Sequence, residues 1–180
     1  MADDIVTIGS KVVYENPWIR VREDAIRRPD GSTSIYGVVE KADYVIVAAI
    51  EDGFIHLVEQ YRYPVGGRYW ELVQGGWEDR PGADPADVAR GELEEETGLI
   101  AAEVRQIGRL LPLAGTVTQA CRVFVATGLT TGPRRLSLDE QDLVTRAFPI
   151  EEALAMVKGG VIRDAGTVAT FGLLKLHGLI

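Results

Sequence analysis

The first half of the chain has the hydrophobic pattern of β-strands. Val, Ile and Tyr recur in short runs that predict strands at residues 19–27, 32–39, 44–50 and 54–60. Turn signals separate these runs: Pro29-Asp30-Gly31 favours one hairpin, and Asp52-Gly53 gives a similar signal further on. The early chain is therefore predicted to be an antiparallel meander.

The clearest helical signal covers residues 85–97. Asp84 is a suitable N-cap, Pro85 suits the first helical position, and Gly98 suits a left-handed stop. Apolar residues at helical spacing predict shorter helices at 151–158 and 165–177. Further strands are expected at 103–110, at 120–126 and around Phe148. This order of elements predicts a layered α+β domain rather than a regular βαβ array.

Composition narrows the classes of function. The formal net charge is −8, which argues against a surface that binds nucleic-acid phosphates. No secretory signal and no membrane-spanning run is visible, and Cys121 is the only cysteine. We therefore expect a cytoplasmic protein with no internal disulfide, no membrane partner and no nucleic-acid partner.

Candidate chemistry concentrates on the predicted helix at 85–97. Glu92, Glu95 and Glu96 stand at positions i, i+3 and i+4, so their side chains project from one face. Crowded carboxylates favour a hard cation such as Mg²⁺ or Mn²⁺. The spacing alone is equally compatible with a solvated acidic face.

The surrounding residues resemble the box of the Nudix hydrolase family. A Gly75-Gly76 turn follows the apolar stretch 70–73, and residues 92–99 reproduce the second half of the box from its first ligand Glu onward. The first half departs from it: Ala83 and Gly91 stand where the family has Glu and Arg, and the loop is about two residues longer. Glu78 or Asp79, in that loop, is an alternative source of the missing carboxylate.

The resemblance implies a fold, a domain division and a set of metal ligands. The fold is a mixed β-sheet layered between helices, an α/β/α sandwich, in a domain at 41–180 that follows an antiparallel strand extension at 1–40. The implied ligands of a Mg²⁺ ion, or a Mn²⁺ ion, are Glu92, Glu95, Glu96 and the main-chain carbonyl of Gln74. The family's Arg orients these carboxylates, and Arg90 points about 100° away from the position that Gly91 occupies.

Further segments resemble the ADP-ribose and nucleotide-sugar pyrophosphatase branch of the family. Gln60-Tyr61-Arg62 and Glu71-Leu72 resemble two segments of that branch, and residues 139–143 and 162–167 resemble an acidic loop and the start of the last helix. Arg62 is implied to bind the substrate's phosphates, and Glu71 is implied to lie near the substrate. A surface arginine beside aromatic residues is the alternative for Arg62.

The implied reaction is hydrolysis of the pyrophosphate bond in a small nucleoside diphosphate derivative. The candidate catalytic residues are Glu95 on the helix and Glu140 in the acidic loop, with Asp139 as an alternative to Glu140. ADP-ribose, cleaved to AMP and ribose 5-phosphate, is the expected substrate. One alternative is a different nucleotide-sugar substrate, such as GDP-mannose. The other is a non-catalytic protein that senses a nucleotide sugar.

Two expectations concern surfaces. The aromatic residues Trp18, Tyr36, Tyr63 and Trp77 could stack on a base, or belong to the core or an interface. The resemblance also implies a homodimer in which the N-terminal strands pack on the partner and help line its site. The β-rich stretch at residues 5–39 lies outside the Nudix core and needs something to cover its edges.

Overall fold

The computed structural model describes residues 4–76, 82–136 and 141–180, and the chain divides into two compact units. The first unit consists of the residues up to Ala42 together with Leu111–Ala120. The second consists of Asp43–Leu110 and Cys121–Ile180. The segment Leu111–Ala120 therefore belongs with the N-terminal strands, although its position in the sequence lies within the predicted second domain.

The first unit is a three-stranded antiparallel sheet. Its strands are β1 (Val6–Glu15), β2 (Arg20–Arg27) and β3 (Thr33–Glu40), in the order β1-β2-β3. The predicted hairpin joins β2 to β3, where Gly31 has a φ of +82° and Asp30 accepts a hydrogen bond from the Ser32 amide at 2.9 Å. The sequence did not define β1 separately, because all ten of its residues are exposed and give no buried face.

The segment Leu111–Ala120 is attached to β3 by hydrogen bonds. The Val39 amide donates to the Thr116 carbonyl at 2.9 Å, and the Thr118 amide donates to the Val39 carbonyl at 3.0 Å. The Tyr36 hydroxyl donates to the Gly115 carbonyl at 2.8 Å. This long-range pairing explains why the segment is part of the first unit.

The second unit contains a seven-stranded mixed sheet. Its members are β4 (Tyr44–Glu51), β5 (Phe54–Arg62), β6 (Gly67–Glu71), β7 (Val73–Gly75), β8 (Leu99–Leu110), β9 (Cys121–Thr131) and β10 (Val144–Pro149). The main order is β10-β5-β4-β9-β8, with β6 paired to β5 and β7 paired to β4. Strands β4 and β9 are parallel, and the other pairs are antiparallel. The predicted Asp52-Gly53 turn joins β4 to β5, with both residues at positive φ.

In the part of the chain that the structure describes, three α-helices accompany this sheet, and the sequence predicted each of them. They are α1 (Pro85–Thr97), α2 (Ile150–Lys158) and α3 (Ala165–Leu176). The ends of α1 are as predicted: the Asp84 side chain accepts a hydrogen bond from the Ala86 amide, and Gly98 has a φ of +73°. No helix in the described ranges is both long and apolar enough to cross a membrane.

The sheet of the second unit is buried on both faces. On β4, Ile46 and Ala48 belong to one hydrophobic cluster with residues of α2 and α3, including Phe171. Val45, Val47 and Ala49 alternate with them and belong to a second cluster with Leu93 of α1. A run of consecutive apolar residues is what a strand covered on both faces requires. The predicted α+β architecture, with a mixed sheet between helices, is confirmed.

Candidate active site

The acidic face of α1 lies against the glycine turn at the end of β7. Glu92 is 7% exposed and Glu96 is fully buried, whereas Glu95 is partly exposed. A Cβ atom at Gly75 would lie 2.3 Å from Glu92 Oε2, so any other residue here would require the Glu92 carboxylate to move. The solvated-face alternative is therefore wrong for Glu92 and Glu96, since buried carboxylates need compensating polar or charged partners.

Arg62, at the end of β5, and Glu71, at the end of β6, form a partly buried ion pair. The Arg62 Nε donates to both Glu71 carboxylate oxygens at 3.0 and 3.1 Å, and Nη2 donates to Oε2 at 2.5 Å. The Gln74 Nε2 also donates to Oε2, at 2.5 Å. Glu71 is only 3% exposed, so these hydrogen bonds stabilise its buried negative charge. They also fix the orientation of the Arg62 guanidinium.

The electrostatic surroundings connect Arg62 with α1. Burial lowers the pKa of Arg62, but the hydrogen bond to Glu71 and its charge, with further contributions from Asp164 and Glu96, raise that pKa above its usual value. The Arg62 side chain is 37% exposed, and its Nη1 has no hydrogen-bond acceptor among the described residues. Glu71 thus orients one edge of the guanidinium, and the Arg62 side chain is still partly exposed to solvent.

Two further arginines, Arg68 and Arg134, contact Asp142 and Leu143, the last residues of the predicted acidic loop. Neither contact was predicted from the sequence. Arg134 donates from Nε to the Glu96 carbonyl at 2.6 Å and from Nη2 to the Leu143 carbonyl at 2.7 Å. Arg68 donates from Nη1 to the Asp142 carboxylate at 2.6 Å and from Nη2 to the Asp142 carbonyl at 2.7 Å. No local pattern could have identified either contact, because Arg68 and Asp142 are 74 residues apart.

Two family models together match nearly the whole chain. A model described as NUDIX domain matches residues 40–171. A model described as nucleoside diphosphate sugar hydrolase N-terminal domain matches residues 5–39. The chain belongs to the Nudix family. The resemblance that the box residues indicated is thereby confirmed, and the protein is a Nudix hydrolase.

Full-length relatives support the same assignment. The chain is 34% identical over 176 residues to an ADP-ribose pyrophosphatase of Mycobacterium tuberculosis. The aligned residues cover 97% of this chain and 84% of that protein. It is 32% identical over 203 residues to a GDP-mannose pyrophosphatase of Citrobacter koseri, with 100% of each chain covered. A crystal structure of an ADP compounds hydrolase has the same fold, with a TM-score of 0.87 at 17% identity, covering 100% of this chain and 99% of that one.

The Nudix box of this chain keeps Glu92, Glu95 and Glu96 but departs at two positions, where the family has a Glu and an Arg. Gly91 lies inside α1 at the position of the family's arginine, and Ala83 lies before the helix. The neighbouring Arg90 donates from Nη1 to the Ala101 carbonyl of β8 at 2.9 Å. The Arg90 guanidinium is therefore directed toward the backbone of β8.

The donor set of α1 fits a divalent cation, which Nudix hydrolases generally use. Glu92, Glu95 and Glu96 offer hard oxygen ligands from one helix face, and the Gly75 turn leaves room for one of these carboxylates. Within the described ranges, no three His, Cys, Asp or Glu side chains already converge as a complete metal site. The ligand assignment, with the Gln74 carbonyl as its fourth member, stays a prediction.

Several predicted site residues lie outside the described ranges. These are the candidate catalytic acids Asp139 and Glu140, the loop acids Glu78 and Asp79, and Trp77. Among the other aromatic candidates, Trp18 is 65% exposed and Tyr63 is 86% exposed, so neither belongs to the core of its unit. Both remain candidates for a base or for an interface.

Replacing Gly75 tests the contact with Glu92. We expect Gly75→Ala to lower the free energy of unfolding by about 1–3 kcal/mol, because the added methyl group collides with the Glu92 carboxylate. In a Glu92→Ala background the same change should cost markedly less, and chemical denaturation of all four proteins gives this coupling. Gly37→Ala is the control, since Gly37 also lies in a strand and nothing lies within 4 Å of its new Cβ. Equal costs of Gly75→Ala in the two backgrounds would refute the contact.

Proposed function

We propose that this Nudix hydrolase splits the pyrophosphate bond of a nucleoside diphosphate linked to another moiety, with ADP-ribose cleaved to AMP and ribose 5-phosphate as the first candidate. The observation that carries the proposal is the close packing of the Glu92 carboxylate of α1 against the Gly75 turn, with Arg62 within electrostatic reach of Glu96. Carboxylates for a cation beside a guanidinium for phosphate suit a diphosphate. Similarity to a named ADP-ribose pyrophosphatase favours that substrate.

The proposed metal ligands are Glu92, Glu95, Glu96 and the main-chain carbonyl of Gln74, with Mg²⁺ as the expected ion and Mn²⁺ as a substitute. A divalent ion held there would lower the pKa of bound water and neutralise negative charge on the diphosphate. Glu92 and Glu96 are buried on the sheet side of α1, and Glu95 is more exposed. This difference makes Glu95 the ligand best placed to meet solvent and substrate, which agrees with a direct catalytic role.

The Arg62–Glu71 pair is proposed to bind the diphosphate. Glu71 holds Nε and Nη2 of the guanidinium, and Nη1, which has no acceptor among the described residues, can donate to a phosphate oxygen. Glu71 itself is 3% exposed and accepts hydrogen bonds from both Arg62 and Gln74. We therefore assign Glu71 to positioning Arg62 rather than to direct contact with substrate.

A carboxylate in the acidic segment is proposed to accept the proton of the attacking water. Glu140 is the first candidate and Asp139 the alternative, because the segment's counterpart in the family supplies such a carboxylate near the metal. The described residues that follow are well anchored, with Asp142 held by Arg68 and Leu143 held by Arg134. The hydrogen bonds at Asp142 and Leu143 anchor the backbone that follows the proposed proton acceptor, and such an acceptor must be well positioned.

Two alternatives differ in the substrate and in the chemistry. Similarity to a GDP-mannose pyrophosphatase over the full length of both chains favours GDP-mannose as a second candidate substrate. The departures at Ala83 and Gly91 favour a sensor that binds a nucleotide sugar without cleaving it. Three ligand carboxylates on one helix face favour the enzyme, since like charges at this spacing destabilise a helix without a cation.

The N-terminal sheet is proposed to form a homodimer. Strand β1 exposes Val6, Ile8, Val12, Val13 and Tyr14, each at least 44% accessible in the single chain, and Ile35 on β3 is 66% exposed. An edge strand with this many exposed apolar side chains is unusual for a monomer. A second copy of the chain packed on this sheet would cover them.

Substitutions on α1 test the reaction and the metal ligands together. With Mg²⁺ and a panel that includes ADP-ribose and GDP-mannose, we expect mass spectrometry to detect nucleoside monophosphate products. Glu95→Gln and Glu96→Gln should lower kcat by about 100-fold or more with thermal stability retained, because each removes a ligand charge. Glu94→Gln, about 100° away from Glu95, is the matched control. Binding of a panel member without any product would favour the sensor, and full activity of either ligand variant would refute the assignment.

Light scattering tests the dimer. We expect a mass of twice 19.6 kDa at micromolar concentration, and mostly monomer for Val12→Asp, because a buried unpaired carboxylate opposes association. Val161→Asp is the control: this valine is 52% exposed and belongs to the second unit, so its variant should remain dimeric. A monomeric wild-type protein would contradict the proposal.

A further inference from the structure

The chain changes its partner strand at Leu72. Strand β6 pairs with β5 as far as Glu71, and β7 pairs with β4 from Val73 onward. Leu72 lies between the two strands, belongs to neither of these two registers and is fully buried. A buried amide at such a point needs a hydrogen-bond acceptor from outside the sheet, because an unsatisfied one destabilises the fold.

Thr167, in the first turn of α3, provides this acceptor. The Leu72 amide donates to Thr167 Oγ1 at 3.0 Å, although the two residues are 95 positions apart. Thr167 is fully buried, and its own amide donates to the Asp164 carboxylate at 2.6 Å in the N-cap of α3. The cap that begins the helix therefore also helps to hold the acceptor in place.

The start of α3 packs closely on β4. A Cβ atom at Gly166 would lie 2.6 Å from Ile46 Cδ1, and Ile46 lies opposite Gln74 in the register of β4 with β7. The first turn of α3 is thus held against the strand that pairs with β7. Its hydrogen bond to the Leu72 amide comes from a well-packed part of the second unit.

Glu71 immediately precedes this anchored amide. Its carboxylate is 3% exposed and accepts hydrogen bonds from both Arg62 and Gln74. Hydrogen bonds tolerate little change in length or angle. A shift of the backbone at Leu72 would therefore move the Glu71 carboxylate and, with it, the guanidinium that this carboxylate orients.

We propose that Thr167 is a positioning residue for the phosphate-binding pair: its hydroxyl fixes the backbone at Leu72 and thereby holds Glu71 where it orients Arg62. The importance of this contact for turnover rests on the proposed function, in which Arg62 binds the diphosphate. Thr167 acts through Glu71 and Arg62 and has no contact with substrate in this role.

Three substitutions in α3 separate the hydroxyl from the packing around it. Thr167→Val replaces the hydroxyl by a methyl group of similar size, whereas Thr167→Ser keeps the acceptor. Thr170→Val is the matched control: Thr170 is also fully buried, one turn further along α3, and its hydroxyl donates to the Gly166 carbonyl at 2.8 Å. This control removes a buried hydroxyl whose hydrogen bond stays within the helix.

Steady-state kinetics with Mg²⁺ and the panel member that the wild type cleaves test the role. We expect Thr167→Val to raise KM about fivefold or more with kcat changed less than about threefold, because a displaced Arg62 weakens binding of substrate and transition state alike. Thr170→Val should keep KM within about twofold of wild type, and Thr167→Ser should recover most of the loss. An unchanged KM in Thr167→Val, or an equal rise in Thr170→Val, would overturn the proposal.

A second pair of variants covers the case in which Thr167→Val does not fold. Thr167→Ala and Thr167→Ser both remove the methyl group and differ only in the hydroxyl. We expect the higher KM in Thr167→Ala. Equal KM values for these two variants would contradict the role of the hydroxyl.

Proton–nitrogen correlation spectra of the protein without metal or substrate give a readout that does not depend on turnover. In Thr167→Val we expect faster hydrogen exchange of the Leu72 amide and a shifted Arg62 Nε–H signal, which is identified by its loss in Arg62→Lys. Neither should change in Thr170→Val. An unchanged Arg62 signal in Thr167→Val would refute the positioning role.

The two sets of measurements distinguish failure of this role from failure of the proposed function. A wild-type protein that cleaves no panel member would refute the proposed function and, with it, the effect of Thr167 on turnover. An active wild type with unchanged KM in Thr167→Val would refute the role of Thr167 alone.

Discussion

The burial of carboxylates between α1 and the sheet is the constraint on which the candidate site depends. Transfer of an ionised carboxylate from water into a protein interior costs several kcal/mol unless other groups compensate it. Glu71 is compensated within the chain by Arg62 and Gln74. For Glu92 and Glu96 we infer that a bound divalent cation adds to the compensation, so that the fold holds ligands in place before the ion arrives.

Several features of the second unit serve this arrangement. Strand β7 ends at Gly75, which has no side chain and lets the Glu92 carboxylate approach the turn. Asp84 and Gly98 set the two ends of α1, and Leu93, about 100° around the helix from Glu92, belongs to a hydrophobic cluster with Val47 of β4. The acidic face is thus oriented by packing and by backbone geometry, which is how a helix presents polar groups with little freedom.

The sequence predicted the parts of the molecule that depend on neighbouring residues. The limits of α1 follow from its cap and stop residues, and the burial of β4 on both faces follows from its continuous apolar run. The spacing of Glu92, Glu95 and Glu96 placed three carboxylates on one helix face. Their burial was not predictable from that spacing, because it depends on the contact between Gly75 and Glu92, which are separated in the chain.

The parts that sequence reasoning missed are long-range contacts. Arg62 was expected to bind phosphate and Glu71 to lie near the substrate, but the three hydrogen bonds that join the two side chains across a hairpin were not predicted. Leu111–Ala120 joins the N-terminal sheet through Thr116 and Val39, and no local pattern marks that pairing. Arginine side chains reach many partners, so their contacts are decided by the completed fold and not by spacing.

Direct measurement of cation binding tests the account most closely. Electron paramagnetic resonance of Mn²⁺ in the absence of substrate reports the free ion, so a titration gives the affinity independently of turnover. We expect saturable binding to the wild-type protein and affinity at least about tenfold weaker in folded Glu92→Gln. Unchanged Mn²⁺ affinity in that variant would show that the buried carboxylates of α1 are not the metal ligands.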